Sequence, residues 1–425
     1  MLTKFKVKNF RSIVDMDLDF KYNEGKAPNC YHESDSVLFL EPKKKAKYIP
    51  CLSIYGANAS GKTNIIKALD TFRFIVLNKI EGTYQPNRLN LKENFTTFEL
   101  SFYISKKEYT LKIKYNEEGI LAETLLENDK ILYHIDGVDK NFNKISSKGY
   151  SPDRLAQIYY VECCNENKQQ RVLFLNRIAN NYTGLNKSIT AVFNFIKNDI
   201  EIYPINQFPF SFGMDKLAAT QDDTTINIAF EKITSLLKKL DIDIDRMQLE
   251  RNIQKIDTNG NKFAFPVNAD NVSFKNNEVS VDFIFSYHKD INGNEIKFKF
   301  QEESDGTKVV AGILGVFLAA LNLGTTLVID ELERSLHPLL LVEIVRLFKD
   351  KRYNKNNAQL IFTSHNTDIL EADLLRVSEI GIVKKTLNDG TMLRRISSFK
   401  GVRNTLNFRK QYLNGTFSGI PHPYI

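Results

Sequence analysis

The chain has 425 residues, of which 42% are hydrophobic, a composition typical of a globular protein with two or three core-sized units. It contains no uninterrupted apolar run of about 18 residues, the length of a membrane-spanning helix, and residues 1–11 alternate charged with apolar side chains. We therefore expect no membrane segment, no signal peptide and a cytoplasmic location. The four cysteines have neither disulfide-framework nor metal-site spacing, which predicts reduced thiols.

The formal net charge is +7. An excess this small over the whole chain is compatible with nucleic-acid binding but does not require it. The densest basic run, Lys-Lys-Lys-Ala-Lys at 43–47, lies in a polar stretch. We interpret this run first as a solvated loop, with a contact to nucleic acid or to an acidic partner as the alternative.

The first predicted elements are two alternating runs, 5–10 and 16–20, which indicate an opening β-hairpin. Residues 22–48 are polar and contain two prolines, so a loop is predicted there. The apolar run 49–55 then predicts a strand, and 64–70 predicts the helix that follows it.

The eight residues that begin at Gly56 have the pattern of a phosphate-binding loop, G-x-x-x-x-G-K-[ST], and include Ser60 and Gly61. In such a loop, glycines allow backbone N–H groups and a helix N-terminus to point at an anion. Lys62 is predicted to reach the β- and γ-phosphates, and the Thr63 hydroxyl is predicted to bind Mg²⁺. Because strand, loop and helix occur in the required order, we predict a nucleotide site.

Later elements follow two different periodicities. Four alternating runs between 96 and 136, separated by turn-forming residues, predict an antiparallel β-meander. From about 151 the apolar spacing becomes helical, and helices are predicted at 171–180, 185–198 and 226–240. Strands are predicted again at 263–265, 279–287 and 295–300.

The second half of the nucleotide site is predicted at 325–331, an apolar run without alternation that ends in two acids. Such a run suits a strand covered on both faces in a parallel sheet. Asp330 is predicted to hold Mg²⁺ through water, and Glu331 to orient or deprotonate the attacking water. The alternative is a buried strand with a polar edge. No guanine-reading Asn-Lys-x-Asp sequence occurs, so adenine is favoured.

Two further segments are predicted to contact phosphate. Ser304 and Gly306 precede the apolar helix 309–321 and form a second anion-binding corner at a helix N-terminus. His365 follows another apolar strand, and in this context we favour a γ-phosphate contact over a structural role. His337 is assigned to a turn rather than to a metal site, because no partner ligands cluster near it in the sequence.

The order of these motifs resembles that of ABC-type ATPases. The resemblance is closest to the soluble branch, which includes SMC-like DNA-repair heads, the ATPase half of overcoming-lysogenisation-defect nucleases, and stand-alone bacterial AAA ATPases of phage-defence operons. Marks of the last group are the residues at 9–12, 330–333, 335–338, 363–365 and 412–421. The resemblance implies an α/β fold, namely an ABC-ATPase head with a mixed central sheet, an antiparallel β-meander subdomain and a helical insertion.

With this fold, the chain is expected to divide into three parts. The N-terminal ATPase lobe at 1–150 would carry the phosphate loop and the β-meander. A helical insertion would occupy 151–260. The C-terminal ATPase lobe at 261–425 would carry the signature, the Asp-Glu strand and the switch histidine.

The resemblance also implies a homodimer, able to build a higher oligomer, in which two heads sandwich two ATP molecules with Mg²⁺. Ser304 and Gly306 would contact the γ-phosphate in trans. Arg11 and Asn58 would line the phosphates, and Glu331 would be the catalytic base for ATP hydrolysis. The signature at 303–307 departs from the transporter-like Ser-Gly-Gly-Gln, which leaves the dimer geometry and turnover rate open.

The metal-sensing glutamine of the family has three candidates, Gln85, Gln157 and Gln207, and the sequence does not choose between them. The segment after His365 is too short for a fused Toprim-type nuclease domain. Any effector, a nuclease among the candidates, is therefore expected on a separate chain.

The leading functional hypothesis is a nucleotide-gated switch, in which ATP closes the dimer, hydrolysis opens it, and the movement controls the effector. A role in bacterial antiviral defence follows from the resemblance alone. The alternative is an SMC-like repair or maintenance ATPase that clamps DNA, with basic residues at 43–47, 384–385, 394–395 and 403–410 as contributors. A membrane-transporter ATPase fits the β-meander and the signature poorly.

Overall fold

The structure, a computed structural model, describes residues 1–22, 38–39, 47–89, 93–137, 139–147, 149–182, 185–204, 223–255, 271–275, 278–371, 374–399, 402 and 407–420. The chain divides into two compact units, each discontinuous in sequence. Unit 1 comprises Met1–Ile205, Gly324–Leu332 and Val345–Ile425. Unit 2 comprises Asn206–Leu323 and Glu333–Ile344. The boundaries predicted at residues 150 and 260 stay predictions.

Unit 1 contains a 13-stranded mixed sheet and a separate two-stranded one. Its strands in Met1–Ile205 are β1 (Leu2–Phe10), β2 (Ile13–Asp19), β3 (Leu38–Phe39), β4 (Lys47–Tyr48), β5 (Cys51–Gly56), β6 (Thr96–Ile104), β7 (Lys107–Tyr115), β8 (Ile120–Glu127), β9 (Lys130–Asp136), β10 (Lys140–Asn141) and β11 (Ile200–Tyr203). Its strands in the later segments are β16 (Thr326–Ile329), β17 (Gln359–Thr363), β18 (Ile380–Thr386) and β19 (Gly390–Arg395). The order across the large sheet is β10-β9-β8-β7-β6-β1-β2-β19-β18-β5-β17-β16-β11.

The large sheet changes character at β18. From β10 to β18 its neighbouring strands are antiparallel, and β6 to β9 form the predicted meander. From β18 through β5, β17 and β16 to β11 they are parallel. The parallel strands β5, β16 and β17 are buried at every position, as expected for strands covered on both faces. The predicted α/β class, with its mixed central sheet and antiparallel meander, is confirmed.

Helices cover the sheet of unit 1. They are α1 (Lys62–Leu77), α2 (Pro152–Ile158), α3 (Phe174–Asn181), α4 (Lys187–Asn198), α8 (Asp368–Glu371) and α9 (Phe408–Leu413). Helix α7 (Pro338–Lys349) contributes its C-terminal part, from Val345 onward. In α1 the buried residues Ile65, Leu69, Phe72 and Val76 recur at helical spacing, so one face packs into the core. Phe72 meets Phe98 of β6 edge to face, with ring centroids 6.2 Å apart. This packing fixes the helix that begins at the phosphate loop.

Unit 2 has its own four-stranded antiparallel sheet. It consists of β12 (Arg246–Lys255), β13 (Asn271–Lys275), β14 (Glu278–Lys289) and β15 (Glu295–Lys299), with helices α5 (Asp223–Lys238) and α6 (Asp305–Leu323). Helix α5 contacts β12 and α6. The helical periodicity of 151–255 gives no indication of β11 and β12. The predicted strand 263–265 lies outside the described residues.

Helix α6 is the one described helix that is long and apolar enough to cross a membrane by length and composition. Its 18-residue window of highest hydropathy is 61% buried within the structure. The sequence contains no uninterrupted apolar run of this length because polar residues such as Lys308 and Asn322 fall within the helix. The burial is the pattern of a core helix in a globular fold.

Candidate nucleotide-binding site

Three parallel neighbours of the large sheet end at the same edge. Strand β17 pairs with β5 on one side and with β16 on the other. Thr363 is in register with Ile54, and Phe362 is in register with Ile329. Because the carboxyl ends of parallel strands meet at one edge, the structure brings the phosphate loop, the Asp330–Glu331 pair and His365 together there. We call this the nucleotide edge.

The phosphate loop depends on two glycines. Gly61 has φ +105°, and a Cβ at this position would collide with the hydroxyl of Thr391. Gly56 ends β5, and a Cβ there would lie 2.6 Å from the carbonyl oxygen of Val383. The close approach requires glycine at both positions, and at Gly61 the positive φ requires it as well. The strand, loop and helix predicted at 49–70 occupy their expected order.

Lys62 is folded back over its own loop. Its side chain is buried, and Nζ donates hydrogen bonds to the carbonyl oxygens of Gly56 at 2.8 Å and Ala57 at 3.2 Å. Ser60 is also buried, and among the described residues its hydroxyl has no hydrogen-bond partner. Asn58 is exposed at the crest of the loop, and Thr63 is partly buried in the first turn of α1. The loop thus holds a buried cation and an unsatisfied hydroxyl.

Arg11 lies against the start of α1. It has φ +50°, its Nε donates to Gln85 Oε1 at 2.6 Å, and its Nη1 donates to Asn64 Oδ1 at 3.3 Å. The structure therefore places Gln85, one of the three candidate glutamines, beside a predicted phosphate ligand. Gln157 is exposed on α2, and Gln207 lies outside the described residues.

A hydroxyl network joins the phosphate loop to two other segments. Thr391 donates to the Ser60 carbonyl oxygen at 3.0 Å, and its hydroxyl lies 2.7 Å from that of Ser12. Asn64 Nδ2 donates to the Ser12 hydroxyl at 2.6 Å. Sequence reasoning assigned no role in the site to Ser12, Asn64 or Thr391, and the two contacts of Thr391 join positions more than 300 residues apart. No local pattern signals such a network.

Asp330 is buried beyond the end of β16. Thr363 donates to its Oδ1 at 2.6 Å, whereas Oδ2 has no hydrogen-bond partner among the described residues. The same Thr363 hydroxyl accepts a hydrogen bond of 2.7 Å from the backbone N–H of Glu331. Glu331 has φ +52°, a left-handed conformation that costs a non-glycine residue free energy and persists only where the surrounding structure enforces it. Thr363, to which the sequence assigned no role, therefore positions both acids.

His365 follows β17 at the same edge. The preceding Ser364 is completely buried, and its backbone N–H donates to the Ile54 carbonyl oxygen at 3.0 Å. This bond ties the chain to β5 just before His365, whose side chain is exposed. The predicted γ-phosphate contact of His365 stays a prediction.

Ser304 and Gly306 belong to unit 2. The Ser304 hydroxyl accepts a hydrogen bond of 3.1 Å from the backbone N–H of Thr307 and therefore caps α6. Both residues are exposed, and a Cβ at Gly306 would meet only the Ser304 hydroxyl, at 3.9 Å. The start of α6 is thus open, as an anion-binding corner requires.

Two cavities adjoin the phosphate-loop region. One, of about 960 Å³, is lined by residues from 11–14, 84–89 and 385–390. The other, of about 530 Å³, is lined by 57–60, Leu89, 383–387 and 418–420. Leu89 and residues 385–387 line both cavities. Cavities of this size are large enough for small-molecule ligands.

The residues present fit Mg²⁺ bound together with a nucleotide. The unsatisfied Oδ2 of Asp330 is a hard oxygen ligand in need of a partner. Among the described residues, no group of three or more His, Cys, Asp or Glu side chains could hold a metal by itself. Mg²⁺ is characteristically held by one or two protein oxygens, phosphate oxygens and water. The Thr63 hydroxyl is the second protein ligand that the motif predicts. His337 accepts a hydrogen bond from the Leu339 N–H within its own turn.

A phosphate loop, a buried aspartate followed by a partly buried glutamate, and a histidine meet at the edge of a mixed sheet, the arrangement of a nucleotide-binding ATPase. The chain belongs to the family described as "AAA domain, putative AbiEii toxin, Type IV TA system", whose model matches residues 51–371. The predicted resemblance to AAA-family ATPases is confirmed. No curated protein matches the chain.

The chain is also similar to solved SMC heads. The SMC head domain from Thermotoga maritima is 16% identical, with 93% of this chain and 98% of that chain covered and a TM-score of 0.41. The Smc head domain of Pyrococcus furiosus with an extended coiled coil, bound to the C-terminal domain of ScpA, is 12% identical, with coverages of 92% and 95% and a TM-score of 0.40. The Smc head of Pyrococcus yayanosii is 9% identical, with coverages of 98% and 99% and a TM-score of 0.43.

Proposed function

We propose that the chain binds and hydrolyses ATP with Mg²⁺ at the nucleotide edge. The observation that carries this proposal is the convergence of β5, β16 and β17, which leaves Ser60 Oγ and Asp330 Oδ2 buried without partners among the described residues. Burying unsatisfied polar atoms costs about 1–3 kcal/mol each. A site that binds phosphate and a divalent cation gives these atoms their missing partners.

Each site residue has a distinct role in this proposal. Lys62 exchanges its loop carbonyls for phosphate oxygens, while the glycine-rich loop offers its N–H groups to the phosphates. Thr63 and Asp330 would hold Mg²⁺, whose charge would offset that of the phosphates. Glu331 accepts a proton from the attacking water on its carboxylate, and His365 orients the γ-phosphate. Arg11 and Asn58 line the phosphates.

We further propose that the working site is completed by a second copy of the chain. Ser304 and Gly306 are exposed at the start of α6, and the open space around Gly306 supports access by another molecule. The helix N-terminus would face the γ-phosphate bound to the partner's loop. ATP would then favour the closed dimer, and hydrolysis would release it.

The dimer is proposed to act as a switch on a separate effector chain in bacterial antiviral defence. The family description names a putative toxin of a Type IV toxin–antitoxin system, which supports a role within a multi-component system. The chemistry of the effector, with a nuclease as one candidate, is set by that second chain.

Two variants test the function. Lys62→Ala should reduce ATP affinity at least about tenfold, because the loop loses its charge-assisted hydrogen bonds to phosphate. Glu331→Gln should bind ATP but lower turnover by about 100-fold or more, since an amide cannot accept the proton. Equilibrium ATP binding and phosphate release measure these two effects. Light-scattering mass with and without ATP measures formation of the proposed dimer. Turnover by Glu331→Gln at the wild-type rate would refute its role as the base.

An SMC-like DNA-clamping function is the second candidate, and the distribution of lysines bears on it. On the outer face of β1 and β2, Lys4 pairs with Asp17 at 2.9 Å and Lys8 with Asp15 at 3.1 Å, so these lysines are largely neutralised. Lys384 and Lys385 are exposed beside the cavities and form no ion pair with any described residue. They are therefore candidates for a DNA contact on unit 1.

Salt dependence distinguishes the two functions. Contacts to several phosphates make the affinity for duplex DNA fall steeply as salt concentration rises. The DNA-clamping function predicts such a slope with wild-type chain plus ATP, reduced in a Lys384→Ala, Lys385→Ala double variant. Absent or salt-insensitive binding would favour the switch that gates a protein partner.

A further inference from the structure

The segment 407–420, which we call the C-terminal segment, lies in unit 1 and contains helix α9. One of its contacts is to the base of the phosphate loop. The ring of Tyr412 lies 5.8 Å from that of Tyr55, the residue before Gly56. The Tyr412 hydroxyl donates to the Gly419 carbonyl oxygen at 3.3 Å. Burial raises the pKa of Tyr412, while a hydrogen bond at the Gly56 backbone acts in the opposite direction.

Gly419 brings the end of this segment close to the same loop. Its φ is +78°, and a Cβ there would lie 2.7 Å from Ile382 Cγ2 and 3.7 Å from Gly56 Cα. A side chain would therefore push the segment away from β5 and β18. Residues 418–420 line the 530 Å³ cavity together with phosphate-loop residues 57–60. The C-terminal segment is thus a wall of the nucleotide edge.

The other contact is to the chain just after His365. Arg409 Nε donates to the Thr367 hydroxyl at 3.2 Å, and Nη2 lies 3.6 Å from Asp368 Oδ1. Helix α9 packs against α8, which begins at Asp368. Arg409 and Tyr412 are three residues apart on one helix and therefore lie on similar faces. A single helical turn contacts both the phosphate-loop base and the segment after the histidine.

We propose that the C-terminal segment is a positioning element that couples the phosphate loop to the segment after His365. This inference rests on the proposed function, in which the loop holds the phosphates and His365 orients the γ-phosphate. Because α9 joins the two, neither can shift without the other. ATP requires the phosphate loop and His365 to be positioned together, whereas ADP lacks the γ-phosphate that His365 would contact.

The experiment uses the full chain and the variants Arg409→Ala, Asp368→Ala and the double variant. Lys410→Ala is the matched control, since Lys410 is exposed on the same helix and its side chain forms no hydrogen bond or ion pair with any described residue. The readouts are kcat and KM for ATP, the dissociation constant for ADP, and the midpoint of thermal unfolding. Arg409→Lys tests whether a conservative cation restores part of kcat.

Arg409→Ala and Asp368→Ala should each lower kcat about tenfold, the scale expected when a reacting group is misplaced by a fraction of an ångström to an ångström. The ADP dissociation constant should stay within about twofold of wild type. The double variant should be no worse than Arg409→Ala alone, because the Asp368 carboxylate acts through the Arg409 side chain. Lys410→Ala should match wild type.

Several results would overturn the inference. One is a kcat for Arg409→Ala equal to that of Lys410→Ala. Another is a loss of ADP affinity as large as the loss of kcat, because general loosening of unit 1 would weaken both nucleotides alike. Additive effects in the double variant would also contradict coupling. A wild-type chain that neither binds nor hydrolyses ATP would instead remove the proposed function, and this inference with it.

Discussion

Two buried carboxyl groups of unit 1 have opposite surroundings. Glu123 of β8 is completely buried between the β-meander and α3. Its two oxygens accept four hydrogen bonds of 2.7–3.0 Å, from Tyr133, Gln170, and the backbone N–H groups of Phe174 and Leu175. The backbone donors are the first N–H groups of α3, so Glu123 caps that helix from a distant strand. Burial nevertheless raises its pKa.

Asp330 at the nucleotide edge is almost as deeply buried, with 5% of its surface exposed. It receives a hydrogen bond on Oδ1 from Thr363, and its Oδ2 has no partner among the described residues. A fold that supplies four hydrogen bonds to Glu123 could also supply a donor to Asp330 Oδ2. The contrast indicates that Glu123 serves the fold, whereas Asp330 keeps an oxygen available for a ligand.

The largest effect is expected for a variant of Asp330, which should lose turnover without losing stability. Asp330→Asn keeps an oxygen for Thr363 but removes the charge needed to hold Mg²⁺, and metal-dependent turnover should fall about 100-fold. Without nucleotide, the midpoint of thermal unfolding should stay the same or rise, because a buried group with an unmet requirement has become neutral. Steady-state ATP hydrolysis and calorimetry without nucleotide measure the two effects. A loss of stability with hydrolysis unchanged would assign Asp330 to the fold.

Glu123→Gln should give the reverse result. The amide would present N–H groups to two of the four donors, which should lower the free energy of unfolding by about 2–3 kcal/mol. Hydrolysis of ATP per folded molecule should be unchanged, since the Glu123 side chain contacts the N-terminus of α3 rather than the nucleotide edge. Urea unfolding and activity titrated against the folded fraction measure this. Tyr133→Phe, which removes a single donor, is the graded control and should cost less.

The same contrast explains which parts of the molecule the sequence could predict. The phosphate loop is visible because its eight residues are consecutive, and the acid pair is visible because it ends an apolar strand. Glu123 lies within a predicted strand of the meander, but its backbone donors are about 50 positions later in the chain. A strand pattern shows that a position faces inward; it does not show which distant helix supplies the partners.

The limit also holds within the site. The Asp330–Glu331 pair is apparent in the sequence, whereas the positioning role of Thr363 depends on the neighbouring alignment of β16 and β17. Three helices of 151–255 were predictable from their apolar spacing, whereas α2 and the four-residue strand β11 were not. Among the described strands, β11 pairs with β16 alone and so forms the edge of the large sheet. Periodicity predicts elements, and tertiary pairing decides which of them become neighbours.

The smallest expected effect concerns Gly61, which is packed tightly against Thr391. It contrasts with Asp330, whose Oδ2 has no partner among the described residues. Gly61→Ala would drive a Cβ into the Thr391 hydroxyl at a backbone φ of +105°. Thr391 holds the loop through the Ser60 carbonyl, so the collision should disturb the N–H groups that face phosphate. We expect ATP affinity to fall about tenfold, which corresponds to about 1.4 kcal/mol.

Gly82→Ala is the matched control, because Gly82 also has a positive φ, +73°, but has no atom within 4 Å of an added Cβ. Both variants carry the conformational cost of about 1–2 kcal/mol for a side chain in the left-handed region, so both should unfold more easily. Only Gly61→Ala should also lose ATP affinity, measured at equilibrium on the folded fraction. Equal losses of affinity would mean that backbone strain alone explains the effect. Because Thr391 was invisible in the sequence, an effect confined to Gly61→Ala would show that a distant hydroxyl network determines the shape of the locally encoded loop.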